Sequence, residues 1–523
     1  MRRIGIGLCA LFLLSCTTPS LRDQATVVQS SRMMPAPGGG PPRRVVLISV
    51  AGLEADAFLN AWGHVASDGD VVRMPELARL ARDGAVAPRV APPTPGAIYP
   101  SHATLATGRL PRKHGVVADR VLDESGKRSL PFWDNRLLEG SALWDAAIGR
   151  GVLSLLWPTT NGARIELLVP DGDPPDPATG WLEFIKGRAS PMLGGFLEEI
   201  AEQALGERGD EVEGGRDPRT WPTAVEKDAA MIELACRVVA SERDPGLWLI
   251  RLHQTARFAR AAGAWSAEVD AAFGRVDAGL GRLLGCLEAA GQLEDTALFV
   301  TGDVAFQPVH TRVDPNVALV AAGLVGRDPR SSTGVRSWLA LSRSNGRSAY
   351  VYARDAENAL LARDLLEREA EETRAFDVVA AAELATAGAD PQAWFGLAAR
   401  PGFVIGNGLS LPPVRPAEVR GSEGAFPFLE PSTSRVALVA WGRGIRMRVH
   451  IPELELVDVA PTIASLLGLR LDDDLDGEPV IGLLRAAVPP PPPGPKRLGV
   501  GQDPDVDRAL RELGGDRDVG RDR

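Results

Sequence analysis

The sequence predicts an α/β protein built on a mainly parallel sheet with helices on both faces. Arg44–Val50, Leu247–Leu252 and Thr296–Thr301 are largely uninterrupted apolar runs of strand length, as expected for strands buried on both sides. Pro75–Gly84 and Ala267–Ala290 carry apolar residues at helical spacing, the first opening on proline and closing on glycine. The second helical stretch lies between two of the strand candidates, the alternation that produces parallel crossovers.

From the N-terminus, Arg2 and Arg3 precede an apolar run from Ile4 to Leu14 that ends in Leu13-Leu14-Ser15-Cys16. A charged start, an apolar middle and a small residue at the junction are the parts of an export signal, here residues 1–15. A cysteine directly after Leu-Leu-Ser resembles the bacterial lipobox, in which that thiol is acylated; the competing reading is an ordinary cleaved signal with an incidental Cys16. Thr17 and Thr18 follow, with no Asp after the cysteine, and by resemblance this favours the outer membrane. The expected location is an outer-membrane lipoprotein facing the periplasm, or the cell surface. Residues 16–43 are rich in Ser, Pro and Gly and read as a flexible tether. Residues 44–484 form the body. Residues 485–523 hold Pro489–Pro493, a stiff spacer, and a charged tail without a fixed fold, in which Val506–Leu513 has the pattern of a short helix.

The chain has 523 residues, 45% of them hydrophobic, enough for a substantial core. A formal charge of -10 argues against nucleic acid as a partner, because binding phosphates needs a basic surface. Cys236 and Cys286 are the cysteines of the body; one disulfide and two buried thiols are both open to them.

Several blocks appear in a telling order. They are Val45–Asp56, Met74–Leu80, Tyr99–Gly108, Pro111–Val116, Leu156-Trp157-Pro158, Val457–Ala464 and Asp476-Gly477. Together they resemble the type I phosphodiesterase and nucleotide pyrophosphatase family over nearly the whole body. The resemblance implies an alkaline-phosphatase-like fold with a smaller lobe, expected from insertions near residues 120–235 and 340–425. It also implies hydrolysis of phosphoric esters by two zinc ions and a Thr or Ser nucleophile. Paired cations polarise the phosphoryl oxygens and activate the attacking hydroxyl.

The residues at the implied site positions do not suit that chemistry. Where the family has a metal-binding Asp after the first strand, this chain has Ala51, with Glu54 and Asp56 beyond the strand end. Counting four residues back from His102 puts Ile98 at the nucleophile position, and Thr94 is four residues too early. Ser101 replaces the Asn that contacts phosphate. The Asp and His ligands after the strand Leu247–Leu252 become Ala256 and Arg260, with His253 three residues early. The Asp-His motif after the next strand becomes Asp303-Val304, and the last ligand loop carries Glu423. One ligand survives in kind, Asp303, with one replacement candidate, Glu423. An Arg at a metal position brings a permanent positive charge that opposes a cation.

His102 and His114 read as structural, Tyr99 as packing, and a lone His310 carries little weight. Arg260 is expected to pair with Asp303, or with Glu423, in the space of the lost ions. No cofactor is predicted. The reading is a pseudoenzyme: a lipid-anchored protein with a binding or scaffolding role toward an unknown envelope ligand or protein, its cleft marked by Ser101, His102 and Arg260. The alternative is a metal-dependent phosphodiesterase or phosphatase with a rewired site, one metal held by Asp303, Glu423 and a histidine. A structural envelope protein acting through its tether and tail is a third.

Overall fold

The computed structural model describes residues 40–485 apart from 61–62, 68, 124, 132–133, 175, 177–178 and 208–221. The export signal, Cys16, nearly all of the tether and the tail lie outside the described residues.

At the centre, strand Arg44–Val50 pairs in parallel with Leu247–Leu252 on one side and Thr296–Gly302 on the other. Strands Val152–Leu155 and Leu167–Val169 extend the parallel run beyond Leu247–Leu252. Strand Val436–Gly442 is antiparallel and joins Thr296–Gly302 to Ala85–Ala91. Two short strands, Val449–His450 and Leu454–Glu455, complete a nine-stranded sheet. The central strands are buried along their whole length, which is why they read as apolar runs rather than alternating ones.

Alternation of side chains along Arg44–Val50 divides the core in two. Val46, Ile48 and Val50 face one cluster, which helices Pro75–Asp83, Pro191–Glu207, Ala224–Val239 and Ala267–Ala289 cover. Val45 and Leu47 face the other, covered by helices Ile98–Thr107 and Val459–Leu467. The disulfide alternative holds: Cys236 bonds to Cys286, tying helix Ala224–Val239 to helix Ala267–Ala289.

A smaller lobe is present, and the two expected insertions contribute to it unequally. An antiparallel sheet of Ala340–Ser344, Ser348–Ala353, Phe395–Ala399 and Phe376–Ala380 packs on helix Ala356–Thr373. The stretch 120–235 gives the lobe the hairpin of Arg120–Leu122 and Ser129–Pro131, where Ser129 Oγ accepts from Arg343 at 2.8 Å, and otherwise supplies two strands of the main sheet and two of its covering helices. The reason is apolar: Leu193, Leu197, Met231, Leu234 and Val238 share a core cluster with Ile48 and Ile250. Strand Gln307–Val313 joins the lobe to the body by pairing with Gly402–Ile405, Val414–Pro416 and Gly421–Ser422.

Candidate functional site

Ligand sites of open parallel sheets lie where the strands end at their carboxyl edge, and the predicted positions meet there. Ala51 follows strand Arg44–Val50; its N–H donates to Leu252 O at 3.1 Å and its carbonyl accepts from Thr255 Oγ1 at 2.6 Å. Asp303 follows strand Thr296–Gly302 and is fully buried. Its Oδ1 accepts from Val304 N at 2.7 Å and from Gly52 N at 3.4 Å. Its Oδ2 has no hydrogen bond. Burial pushes the Asp303 carboxyl up from its usual range, opposed by Arg251 and these backbone donors.

Helix Ile98–Thr107 closes the site from the side. Ile98 opens it, and its side chain is buried against the core. Ser101 is fully buried with an unpartnered hydroxyl. His102 Nδ1 lies 2.8 Å from Ile98 O, so that nitrogen carries the proton. Nδ1 is also 3.9 Å from Asp303 Oδ2, while Nε2 has no partner and the ring meets Trp157 edge-on at 4.8 Å. Burial first, and Arg251 second, hold the His102 imidazole well below its usual range. Thr94 is buried in the loop ahead of the helix, its carbonyl facing the Tyr350 hydroxyl at 3.3 Å.

Helix Gln254–Ala262 carries Ala256, buried, and Arg260, whose side chain is 37% exposed. Arg260 is held by Glu423: Nε lies 3.1 and 3.3 Å from the two carboxylate oxygens, and Nη2 joins the same contact. Glu423 reaches it because strand Gly421–Ser422 presses on the helix; a Cβ on Gly421 would lie 2.4 Å from Ala259 O.

The pairing of Arg260 with Asp303 is therefore corrected in favour of Glu423. Asp303 still acts on Arg260 at a distance: Glu423, then Asp119 and Asp303, reinforce the Arg260 charge against burial. The reason for the choice is geometric. Asp303 is committed to backbone donors at the strand end, whereas Glu423 arrives on a strand that touches Arg260's own helix.

The guanidinium whose charge acts on the Asp303 carboxyl is Arg251, which the family resemblance does not mark. It is buried, and its Nη1 is 3.0 Å from Asp171 Oδ2. Burial works against its charge, but Asp171, Asp303 and Tyr99 more than offset this and keep it a firm cation. Tyr99 does more than pack: its hydroxyl donates to Asp171 Oδ2 at 2.9 Å and its N–H to Asp119 Oδ1 at 2.8 Å. Burial lifts the Asp119 carboxyl to about 6. A lone arginine near the end of an otherwise apolar strand, Leu247–Leu252, was the signal available for this network.

The other histidines serve structure or lie apart. His114 is fully buried between Thr104 Oγ1 and Val116 N. His253 Nδ1 is 2.9 Å from Asp228 Oδ1. His310 is exposed, bonded to Thr311 and tilted on Phe403.

Two zinc ions would need three or four nitrogen, sulfur or oxygen ligands each. Ala51, Ala256 and Val304 have no donor atom, Arg260 is a cation, and Glu423 already binds that cation. Among the described residues no three His, Cys, Asp or Glu side chains are grouped to hold a metal. The residues present do not fit the pair of ions.

The sequence pattern described as type I phosphodiesterase / nucleotide pyrophosphatase matches residues 45–413. Ectonucleotide pyrophosphatase/phosphodiesterase family member 1 from Rattus norvegicus is 26% identical over 160 residues, which is 28% of this chain and 16% of that protein. The Homo sapiens protein of the same name is 24% identical over 142 residues, 25% of this chain and 14% of that one. The chain thus matches less than a fifth of these relatives' length. Among solved structures, human ectonucleotide pyrophosphatase/phosphodiesterase 5 aligns with a TM-score of 0.56 at 15% identity, covering 82% of this chain and 96% of that one. An inactive murine form of the same protein in complex with AMP aligns with a TM-score of 0.55 at 15% identity, with the same coverage. At that identity the likeness shows the fold.

Proposed function

We propose that this chain, which belongs to the type I phosphodiesterase / nucleotide pyrophosphatase family, has lost phosphoric ester hydrolysis and acts as a binding or scaffolding protein at the cell envelope. The observation that carries the reading is the salt bridge of Arg260 and Glu423. It puts a cation and its counter-ion on two positions that the family resemblance assigns to metal ligands. Ile98, at the nucleophile position, offers only carbon. The rewired-metal alternative gains nothing from the geometry: Asp303 and His102 are close, but the third member of that set, Glu423, is engaged by Arg260.

Export with a diacylated Cys16 supplies the envelope location, and the Cys236–Cys286 bond supports it, because disulfides persist in oxidising compartments. The test is hydrolysis of p-nitrophenyl phosphate and bis-p-nitrophenyl phosphate by the purified protein with added zinc. The expected result is no turnover above the uncatalysed rate. Turnover that a chelator abolishes would overturn the reading. Mass spectrometry of the envelope fraction should find Cys16 acylated at the new N-terminus; an unmodified Cys16 would remove the anchor.

A further inference from the structure

Beside Ala51 lies a niche of about 20 Å³, room for one water-sized group. Its walls include Ala51, Glu54, Thr255, Trp265, Phe273 and Phe306. Trp265 stands in the turn between helix Gln254–Ala262 and helix Ala267–Ala289 and is 66% exposed. Its ring and the Glu54 carboxylate thus line one niche, an aromatic face beside an acid.

The Glu54 carboxylate has no hydrogen bond or ion pair to any described residue, and burial, with Asp56 adding to it, lifts it to about 8. The cation nearest to hand is already engaged. Arg73 pairs with Asp56, lies 3.5 Å from Asp270 and sits 4.7 Å over the Phe273 ring. Arg260, 5.6 Å from the Phe306 ring, belongs to Glu423. The charged groups that line the niche with Glu54 are Asp56 and Arg73, which pair with each other and leave Glu54 as the carboxylate without a counter-ion.

We propose that this niche binds a primary ammonium group, the head of an alkylamine or of a lysine side chain, with Glu54 as counter-ion and Trp265 as wall. The volume admits a group the size of –NH3+ and excludes a guanidinium or a trimethylammonium. The Glu54 and Asp56 carboxylates in its lining oppose an anion, since Arg73 is already paired with Asp56. An ammonium donates to the carboxylate and gains from the adjacent aromatic faces. Its alkyl stem then leaves the niche along the exposed Trp265 ring. The proposal stands whether or not the neighbouring cleft hydrolyses esters, because it uses neither Asp303 nor Glu423.

The test is an NMR titration of the whole protein with 13C-labelled n-butylammonium chloride, followed by line broadening, with potassium chloride as competitor. Saturable broadening is expected, weakened about tenfold or more in Glu54→Gln, the loss of one charge-assisted contact. Trp265→Ala, a change on the exposed rim, should weaken it as well while leaving the melting temperature in place. Glu54 must give up its proton to pair, so affinity should fall about tenfold per unit as pH drops below about 8. The Glu54→Gln variant should lack that slope. No saturation, equal binding by Glu54→Gln, or full displacement by equimolar potassium would overturn the assignment.

Discussion

Two regions around the cleft have fared differently. The block from Tyr99 to Val116 keeps, apart from Ser101, the residue types its family resemblance calls for, and nearly all of them turn inward. His114 bridges Thr104 and Val116, Thr107 Oγ1 donates to Ala103 O at 2.7 Å, and Asp476 accepts from Leu110 N at 2.8 Å. Gly108 sits at φ +69°, and a Cβ there would meet Pro461 Cδ at 2.9 Å, so a side chain at that turn is doubly penalised. Opposite, the strand ends hold Ala51 and Val304, and helix Gln254–Ala262 holds Ala256 and Arg260, where the family resemblance calls for ligands. Residues that carry the fold and residues that carry the chemistry are different residues, even when they share one loop.

The largest expected effect tests the first region. His114→Ala removes two buried hydrogen bonds and opens a cavity, so urea unfolding should show a loss of about 3 kcal/mol. The loss should depend on pH. Burial holds the folded imidazole at about 3, against roughly 6.5 in an unfolded chain. The unfolded state therefore takes the proton first. The His114 contribution is intact above that unfolded value and declines by about 1.4 kcal/mol per unit as pH falls toward the folded one. Wild type and variant should converge on acidification; a constant gap would mean that His114 is not a buried neutral ring.

A smaller effect is expected from Arg260→Ala. It strands Glu423, but the arginine is partly exposed, so the loss should be about 1–2 kcal/mol rather than the larger figure for a fully buried pair. Adding Glu423→Gln should recover part of it. Additive losses in the double variant would break the pairing. The smallest effect belongs to Asp303→Asn. An amide keeps the oxygen that accepts from Val304 and Gly52 and removes a charge that burial opposes. The melting temperature at neutral pH should hold or rise slightly, because Asp171 remains as the counter-ion of Arg251; a large fall would show that Arg251 depends on Asp303 more than on Asp171.

The sheet was legible because its central strands are buried on both faces and its helices carry clear periodicity. Arg44–Val50 and Leu247–Leu252 have the bounds read from sequence, and Thr296–Gly302 extends its reading by one residue. What sequence left open was tertiary. Residues 120–235 looked like an insertion because Val152–Leu155 and Leu167–Val169 are short, and only their place beside Leu247–Leu252 makes them part of the main sheet. The cleft was legible one position at a time, through Ala51, Ile98 and Val304. Its charge network was legible only at Arg260, for which Glu423 was one of two candidate partners; Asp119, Asp171 and Arg251 come from distant segments, and spacing along the chain does not say which acid meets which arginine.

The central claim, that the family's metal pair has no seat in this cleft, is tested most directly by titrating chelator-stripped protein with Zn2+ in a calorimeter. The account predicts no saturable uptake by the body that depends on Asp303 or Glu423, and the same trace for wild type and Asp303→Asn. Tight uptake of two zinc ions per chain, lost in Asp303→Asn, would contradict it.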